Sequence, residues 1–287
     1  MLNEILTTIA SLALNLFVIT SMLAMGMSLT VKQILDPLRN ARLVVLVLVG
    51  NFILIPAVAW LLTVVLPMGQ AQATALILLG ACAGAPFLPK LAQMSKGNLA
   101  LSVGLMVLLM VVTIFYAPLV LPLLLPGAQV DVAAIAQSLI LLMLLPLAIG
   151  LLVKWRYADT AAGWQPYLSQ ASTYSLLLLI AAGLLLQWRN IIGAIGSWLI
   201  LATLLLTVGA LVIGYFLSFG SDVAGRKVVA LGTGQRNLSA ALLVGASFGD
   251  SETLVMTLVA SLILAVVLIV TAGEIGKRAA AAPAKSG

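Results

Sequence analysis

Nine long apolar segments, separated by short polar stretches, constrain this chain of 287 residues more than any other feature of its sequence. Most reach the ~20 residues that an α-helix needs to cross a hydrocarbon core of ~30 Å. Only 8% of the residues are charged, whereas ordinary soluble domains carry about 25%, so a water-soluble fold is excluded. The sequence predicts an all-α polytopic membrane protein with segments at 5–29, 43–66, 71–88, 99–125, 132–153, 169–186, 195–218, 228–247 and 253–273.

The placement of the basic residues predicts how these segments cross the membrane. With the N-terminus outside, twelve of the 14 lysines and arginines fall in cytoplasmic loops or in the C-terminal tail, as the positive-inside rule requires. In this orientation Arg189 lies outside and Arg236 lies within a span. We therefore expect a cytoplasmic C-terminus, a disordered tail over residues 279–287 and a location in a bacterial inner membrane.

Residue types that are absent or rare exclude several kinds of chemistry. The chain has no histidine and one cysteine, Cys82, so His-based catalytic triads, histidine metal sites and intrachain disulfides are excluded. It also lacks the Gly-x-x-x-x-Gly-Lys-Ser/Thr loop, which argues against direct use of ATP. All eight acidic residues map to loops or span ends, which disfavours an intramembrane enzyme. We expect no enzyme activity and commit to no metal site.

Two of the nine segments are poor helices. The third contains Pro86 and is followed directly by Pro89, two prolines that remove backbone donors, and the eighth contains Gly232 and Gly234, which could unwind it. Irregular backbone at membrane depth is tolerated only inside protein or beside a water-filled cavity. A pair of interrupted spans in two halves of a chain indicates a transporter binding site. A structural proline kink and a close helix contact at the glycines are the alternatives.

Arg236 is an unusual residue at its predicted depth. It follows Lys227, which marks the inner surface, by nine residues, and a rise of ~1.5 Å per residue places it ~13.5 Å deep. A charge near the bilayer centre costs at least ~2.5–3.5 kcal/mol. Because no acidic residue is expected there, its partners should be carbonyls of a broken helix or an anionic ligand. An arginine that only holds two helices together is the alternative.

Four motifs, in order along nearly the whole chain, resemble those of the bile acid:sodium symporter family. The first two are Met25-Gly26-Met27-Ser28-Leu29 and Asn51-Phe52 followed by Pro56-Ala57 and Trp60. The third runs from Gly80 to Val103, and the fourth runs from Gly234 to Asn237 and continues through residues 238–243.

This resemblance implies nine transmembrane helices in two inverted repeats, with a panel domain and a core domain in which two broken helices cross. The first repeat would cover residues 1–125, with its broken helix near 80–96. The second would cover residues 126–278, with its broken helix near 228–247. The implied function is that of a secondary transporter that moves a small organic solute, with an anion favoured, by alternating access.

The family's sodium-binding positions are changed in this chain. The resemblance places the family's Ser-Asn pair at Leu88 and Pro89, its glutamate at Gly232, its glutamine at Arg236 and one of two following hydroxyls at Met106. With no carboxylate left to neutralise sodium, we expect Arg236 to replace the ion and transport not to be coupled to sodium in the family's usual way. A sodium-coupled anion symporter with a remodelled site and a non-transporting membrane sensor are the alternatives.

The expected site for substrate or ion combines residues of these motifs. Lys90 either faces this site or ends its span in a cytoplasmic loop. The expected partners are an organic anion and the lipid bilayer, not nucleic acid, with monomer and homodimer both open. Sodium is doubted as a bound ion, and no other cofactor is expected. The site residues are Arg236, Asn237, Gln235, Thr233, Gly232, Gly234, Asn51, Ser102, Lys90, Pro86 and Pro89.

Overall fold

A computed structural model of the chain describes residues 2–85, 87–125, 132–194, 197–248 and 250–281. These residues form helices and no β-strand, since a helix satisfies every backbone group within its own segment in a membrane. The helices are α1 (Leu2–Ser28), α2 (Val31–Leu35), α3 (Ala41–Val49), α4 (Ile55–Val65), α5 (Gln70–Ala81), α6 (Leu88–Met94), α7 (Leu99–Leu124), α8 (Val132–Leu139), α9 (Leu145–Arg156), α10 (Ala158–Ala194), α11 (Trp198–Leu217), α12 (Val223–Gly234), α13 (Leu238–Ser247) and α14 (Ser251–Ala281).

Six helical stretches are long and apolar enough to cross a membrane. Each coincides with a segment expected from the sequence, and large apolar side chains such as Leu119 and Val266 are exposed on their outer faces. The chain is therefore an integral, multi-pass membrane protein. The other three expected segments fall on α5–α6, α10 and α12–α13. The six stretches are Glu4–Ser28, Ala41–Val65, Leu99–Leu124, Gln137–Arg156, Trp198–Leu217 and Ser251–Ala280.

A π-helical turn at Gly50–Leu54 joins α3 to α4 just before Pro56, and a second one joins α8 to α9. Proline has no N–H for the carbonyl four residues before it, which here belongs to Phe52. The Tyr116 hydroxyl of α7 donates to this carbonyl over 2.6 Å. A side chain from another helix thus satisfies the backbone group that the proline leaves free.

The helices pack in two groups. In the first, α1, α9 and α10 pack mainly on one another, and Gly26 of α1 meets Gly150 of α9 so closely that a Cβ on Gly26 would lie 2.9 Å from the Gly150 Cα. The Met-Gly-Met motif therefore serves a backbone-to-backbone contact. In the second group, α4, α7, α11 and α14 pack around the two interrupted helices, α5–α6 and α12–α13.

The interruptions between α5 and α6 and between α12 and α13 touch each other. Ala83 and Arg236 form an isolated antiparallel bridge, and the Asn237 N–H donates to the Cys82 carbonyl over 2.9 Å. Gly232 and Gly234 belong to the last turn of α12, so the interruption begins at Gln235 instead of at the glycines. The Gln235 N–H still donates to the Leu231 carbonyl over 2.9 Å, which continues the helical ladder one residue past Gly234.

Two expectations concern residues that are not described. Pro86 lies outside the described residues, as do residues 282–287 of the expected tail. Residues 279–281 of that tail continue α14 as a helix.

Candidate functional site

Arg236 occupies the point where the two interruptions meet, and it is 3% exposed. Its Nε donates to the Leu79 carbonyl over 2.9 Å, and its Nη2 donates to the Gly80 carbonyl over 2.7 Å. Its Nη1 donates to Asn51 Oδ1 over 2.9 Å and to the Thr233 carbonyl over 3.2 Å. The guanidinium therefore links three helical stretches at once.

The three carbonyls belong to helix ends, which explains how a cation is held without an acidic partner. Leu79 and Gly80 lie in the last turn of α5, and Thr233 lies in the last turn of α12. A helix C-terminus carries about half a negative charge, so two such ends offset about one positive charge. No described carboxylate pairs with Arg236. The broken helices themselves thus neutralise most of its charge.

Two asparagines surround the arginine. Asn51 donates from Nδ2 to the Val47 carbonyl over 3.0 Å and to Thr233 Oγ1 over 3.3 Å, so its amide oxygen is turned toward Arg236. Asn237 donates from Nδ2 to the Gly84 carbonyl over 2.8 Å and accepts from the Ala240 N–H over 3.1 Å. It thereby caps α13 and ties it to the first interruption.

The first interruption is fixed by α7 as well. The Thr113 hydroxyl donates to the Ala83 carbonyl and accepts from the Ala83 N–H, each over 2.9 Å. Gly84 has φ +77°, and a Cβ on it would lie 2.6 Å from the Leu109 carbonyl carbon and would also collide with the Met110 nitrogen. The chain can therefore cross here only with glycine at position 84.

A cavity of about 780 Å³ lies beside the crossing, between the two helix groups. Lys90 of α6 and Arg236 line it, and its described lining includes no carboxylate. Lys90 has no hydrogen-bond or ion-pair partner among the described residues, so its ammonium is available to a ligand. Gln235 also lines the cavity, is 4% exposed and has an amide oxygen with no described partner. The arrangement suits an anion that also donates hydrogen bonds.

The expected site residues divide into three sets. Those that line the cavity are Arg236, Asn237, Gln235, Lys90 and Pro89. Asn51 and Thr233 lie behind Arg236 and orient it. Gly232, Gly234 and Ser102 lie away from the cavity lining, and the Ser102 hydroxyl donates within its own helix to the Leu99 carbonyl over 2.6 Å.

Two of the positions that the resemblance equates with sodium ligands, Gly232 and Leu88, form an apolar contact. A Cβ on Gly232 would lie 3.0 Å from a methyl carbon of Leu88, which is itself fully buried. Met106, at a position where the resemblance places a hydroxyl side chain of the family, is buried beside the cavity. These three residues offer no oxygen side chain to a cation, and hard cations such as sodium need oxygen ligands.

Sequence reasoning missed the polar wall of the cavity on the first helix group. A signal was present, because polar residues three or four positions apart lie on one face of a helix. In α10 these residues are three or four positions apart, and in α1 they are seven positions, or two turns, apart. They are Gln165, Ser169, Ser172 and Thr173 of α10, with Ser21 and Ser28 of α1.

Comparison with known proteins agrees with this architecture. The chain is 28% identical over 201 residues to the probable sodium/metabolite cotransporter BASS2, chloroplastic, of Oryza sativa subsp. japonica, which covers 69% of the chain and 47% of that protein. It is 27% identical over 261 residues to the probable sodium/metabolite cotransporter BASS1, chloroplastic, of Arabidopsis thaliana, which covers 88% of the chain and 64% of that protein. The chain thus spans about half to two thirds of the length of these relatives.

A family model matches most of the chain. The model of the Sodium Bile acid symporter family covers residues 14–194, which include the second half of α1, α5–α6 and α10. The match contains the motifs at Met25, Asn51 and Gly80. The chain therefore belongs to the sodium bile acid symporter family.

Proposed function

We propose that this protein is a secondary transporter that moves a small organic anion by alternating access without sodium coupling. The observation that carries the proposal is the guanidinium of Arg236, which donates to the C-terminal carbonyls of two half-helices and to Asn51. Carbonyls and half-helix ends of this kind coordinate the coupling ion in other transporters with broken helices. A covalently attached cation takes that position here.

The charge of the cavity supports an anionic substrate. Two cations, Lys90 and Arg236, line it without a carboxylate among the described lining residues. Arg236 is already held by four hydrogen bonds, whereas Lys90 has no described partner. Lys90 is therefore proposed as the residue that receives the anionic group of the substrate.

Like-charge repulsion argues against sodium at the same place. At ~4 Å and an effective dielectric constant of ~20, a second cation beside Arg236 would be repelled by about 4 kcal/mol, close to a thousandfold in affinity. The residues nearby offer no compensating charge, because Gly232 and Leu88 form an apolar contact there.

The proposed architecture has nine spans in two inverted repeats, with the N-terminus outside and the C-terminus in the cytoplasm of a bacterial cell. The first helix group, α1 with α9 and α10, would act as the panel, and the helices around the crossing would act as the core. Relative movement of the two groups would expose the cavity between them to each side in turn.

A sodium-coupled symporter with a remodelled site is the second candidate. It is favoured by the similarity to two plant proteins that are named as probable sodium/metabolite cotransporters. The side-chain amides of Asn51 and Asn237 are polar groups that such a site could still use.

Transport into proteoliposomes with sodium replaced by potassium or choline separates the two candidates. Taurocholate, benzoate and hexanoate serve as probe anions, and we expect the same initial rate in all three salts. A steep sodium requirement would contradict the proposal. Arg236→Gln alone is expected to leave transport independent of sodium, whereas Gly232→Glu combined with Arg236→Gln restores a carboxylate and an amide and should introduce a sodium requirement.

A further inference from the structure

The cation at the crossing, Arg236, is part of the chain, so it cannot add to the net charge moved in each transport cycle. A co-transported ion binds on one side and leaves on the other, so its charge crosses the membrane. Arg236 cannot leave, because it is covalently attached and held by four hydrogen bonds. When the carrier has completed a cycle, Arg236 has returned to its starting point and has contributed no net charge.

The cavity also lacks a group suited to carry a proton at neutral pH. The whole chain has no histidine, and the described cavity lining has no carboxylate. Lys90 and Arg236, both cations, are the ionisable side chains of that described lining. The described lining therefore offers neither a carboxylate that would balance the charge of a bound sodium ion nor a histidine or carboxylate that would carry a proton with the anion.

We infer that transport is electrogenic and that the membrane potential drives the anion outward, which makes the protein an exporter in an energised bacterial membrane. This inference rests on the proposed function. Each monoanion carries one negative charge across, so an inside-negative potential of 100 mV supports a concentration about 50-fold higher outside than inside. An uncoupled carrier of this kind needs no further energy source to empty a cell of the anion.

The charge of the empty carrier acts in the same direction. Without substrate the cavity presents the charge of Lys90, beside an Arg236 whose charge the helix ends largely offset, and with substrate the anion offsets the charge of Lys90. An inside-negative potential attracts a positively charged site toward the cytoplasm. The empty carrier is therefore expected to face the cytoplasm more often, which makes it available to anions from within the cell.

Proteoliposomes with potassium diffusion potentials set by valinomycin test the inference in the absence of sodium. They are loaded with taurocholate, benzoate or hexanoate, and efflux is measured at inside-negative, zero and inside-positive potentials. The final gradient depends on thermodynamics alone, so a mixed orientation of the protein does not affect it. We expect faster efflux at inside-negative potential and accumulation at inside-positive potential.

The outcomes separate the possible mechanisms. Flux that is unaffected by potential would indicate one-for-one exchange or electroneutral coupling and would overturn the inference while leaving anion transport intact. Uptake driven by an inside-negative potential would indicate co-transport of at least two cations and would overturn both. No flux of any probe would overturn the proposed function and, with it, the inference.

Lys90→Gln provides a further readout. The potential at which net flux is zero should shift by about 59 mV for each tenfold gradient of a monoanion, in the native protein and in the variant alike. The variant should need more substrate, but Lys90 is a fixed charge and cannot alter the charge moved per cycle. A slope that differs between the two proteins would contradict the inference.

Discussion

The two interruptions at the crossing differ in what they contribute to it. The first contains small residues and supplies acceptors, the carbonyls of Cys82 and Gly84, after those of Leu79 and Gly80 in the preceding turn. The second supplies donors from Arg236 and Asn237. The first therefore depends on its backbone path, and the second depends on its side chains.

Arg236→Leu should have the largest effect, because it removes the main donor of the second interruption. The carbonyls of Leu79 and Gly80 and the amide oxygen of Asn51 would lose a buried partner, at about 1–3 kcal/mol each. We expect transport to be lost and the free energy of unfolding to fall by at least about 3 kcal/mol.

Thermal unfolding of the purified protein measures this change. Arg39→Leu is the control, because the Arg39 side chain is 84% exposed and pairs only with Asp36 over 3.3 Å among the described residues. If both variants unfold at the same temperature, the donors of the second interruption do not hold the crossing together.

Glycine-to-alanine changes test the dependence of the first interruption on its backbone path. Gly84→Ala adds a Cβ at φ +77° against the backbone of α7, and the expected destabilisation is about 2–4 kcal/mol. A Cβ on Gly234 would meet only the ends of Leu211 and Leu268 at 3.0 Å, so Gly234→Ala should change stability by less than about 1 kcal/mol. Equal decreases in the unfolding temperature of the two variants would show that the backbone is no more constrained at Gly84 than at Gly234.

Leucine at Gly232 or Gly234 tests whether transport needs a small residue at the end of α12. We expect Gly232→Leu and Gly234→Leu to abolish transport without preventing membrane insertion, because neighbouring leucines already fill the space around both residues. Full transport by both variants in proteoliposomes would remove these glycines from the moving parts of the core.

Lys90→Gln compares the cation that follows the first interruption with the tied cation of the second. Lys90 has no described partner, so its replacement should leave the unfolding temperature unchanged. Loss of one charge-assisted contact of about 1.5 kcal/mol should raise the apparent KM for a probe anion roughly tenfold. Lys32→Gln, at an exposed lysine of α2, should leave KM unchanged. An unchanged KM in Lys90→Gln would contradict a role for Lys90 in anion binding.

The smallest expected difference concerns two threonines. Thr113→Val removes the hydroxyl that both donates to and accepts from Ala83, which should cost about 1–3 kcal/mol. Thr233→Val removes only a contact of 3.3 Å from Asn51, and its cost should not exceed about 1 kcal/mol. Denaturation of both variants in the same detergent checks the order, and the reverse order would contradict the assignment of these contacts.

The interruptions could be placed from the sequence because their signals are local. Prolines and glycines within apolar segments mark weak helices, and counting residues from Lys227 gives the depth of Arg236. The absence of acidic residues at that depth predicted carbonyls of a broken helix or an anionic ligand as partners, and the structure shows Arg236 bonded to three carbonyls. These features need no knowledge of how distant segments pack.

Contacts between distant helices could not be predicted in the same way. Nothing local to Thr113 or Tyr116 shows that each satisfies a backbone group of another helix. The unwound stretch begins at Gln235 rather than at the glycines, because packing against leucines keeps Gly232 and Gly234 helical. That Lys90 lines the cavity also depends on the position of α6, which the hydropathy of its segment does not give.

The crossing also constrains the order in which the chain can be assembled during synthesis. The hydrogen bond from Arg236 to the Gly80 carbonyl spans 156 residues, so the acceptor is made long before the donor. With 12 and 10 residues, α12 and α13 are each only ~15–18 Å long, too short to span the bilayer alone. The ribosome thus releases α12 and α13, with Arg236 between them, after it has released α5, which supplies the acceptor carbonyl. Insertion of this segment is therefore a folding step, in which the carbonyls of α5 act as a template for Arg236.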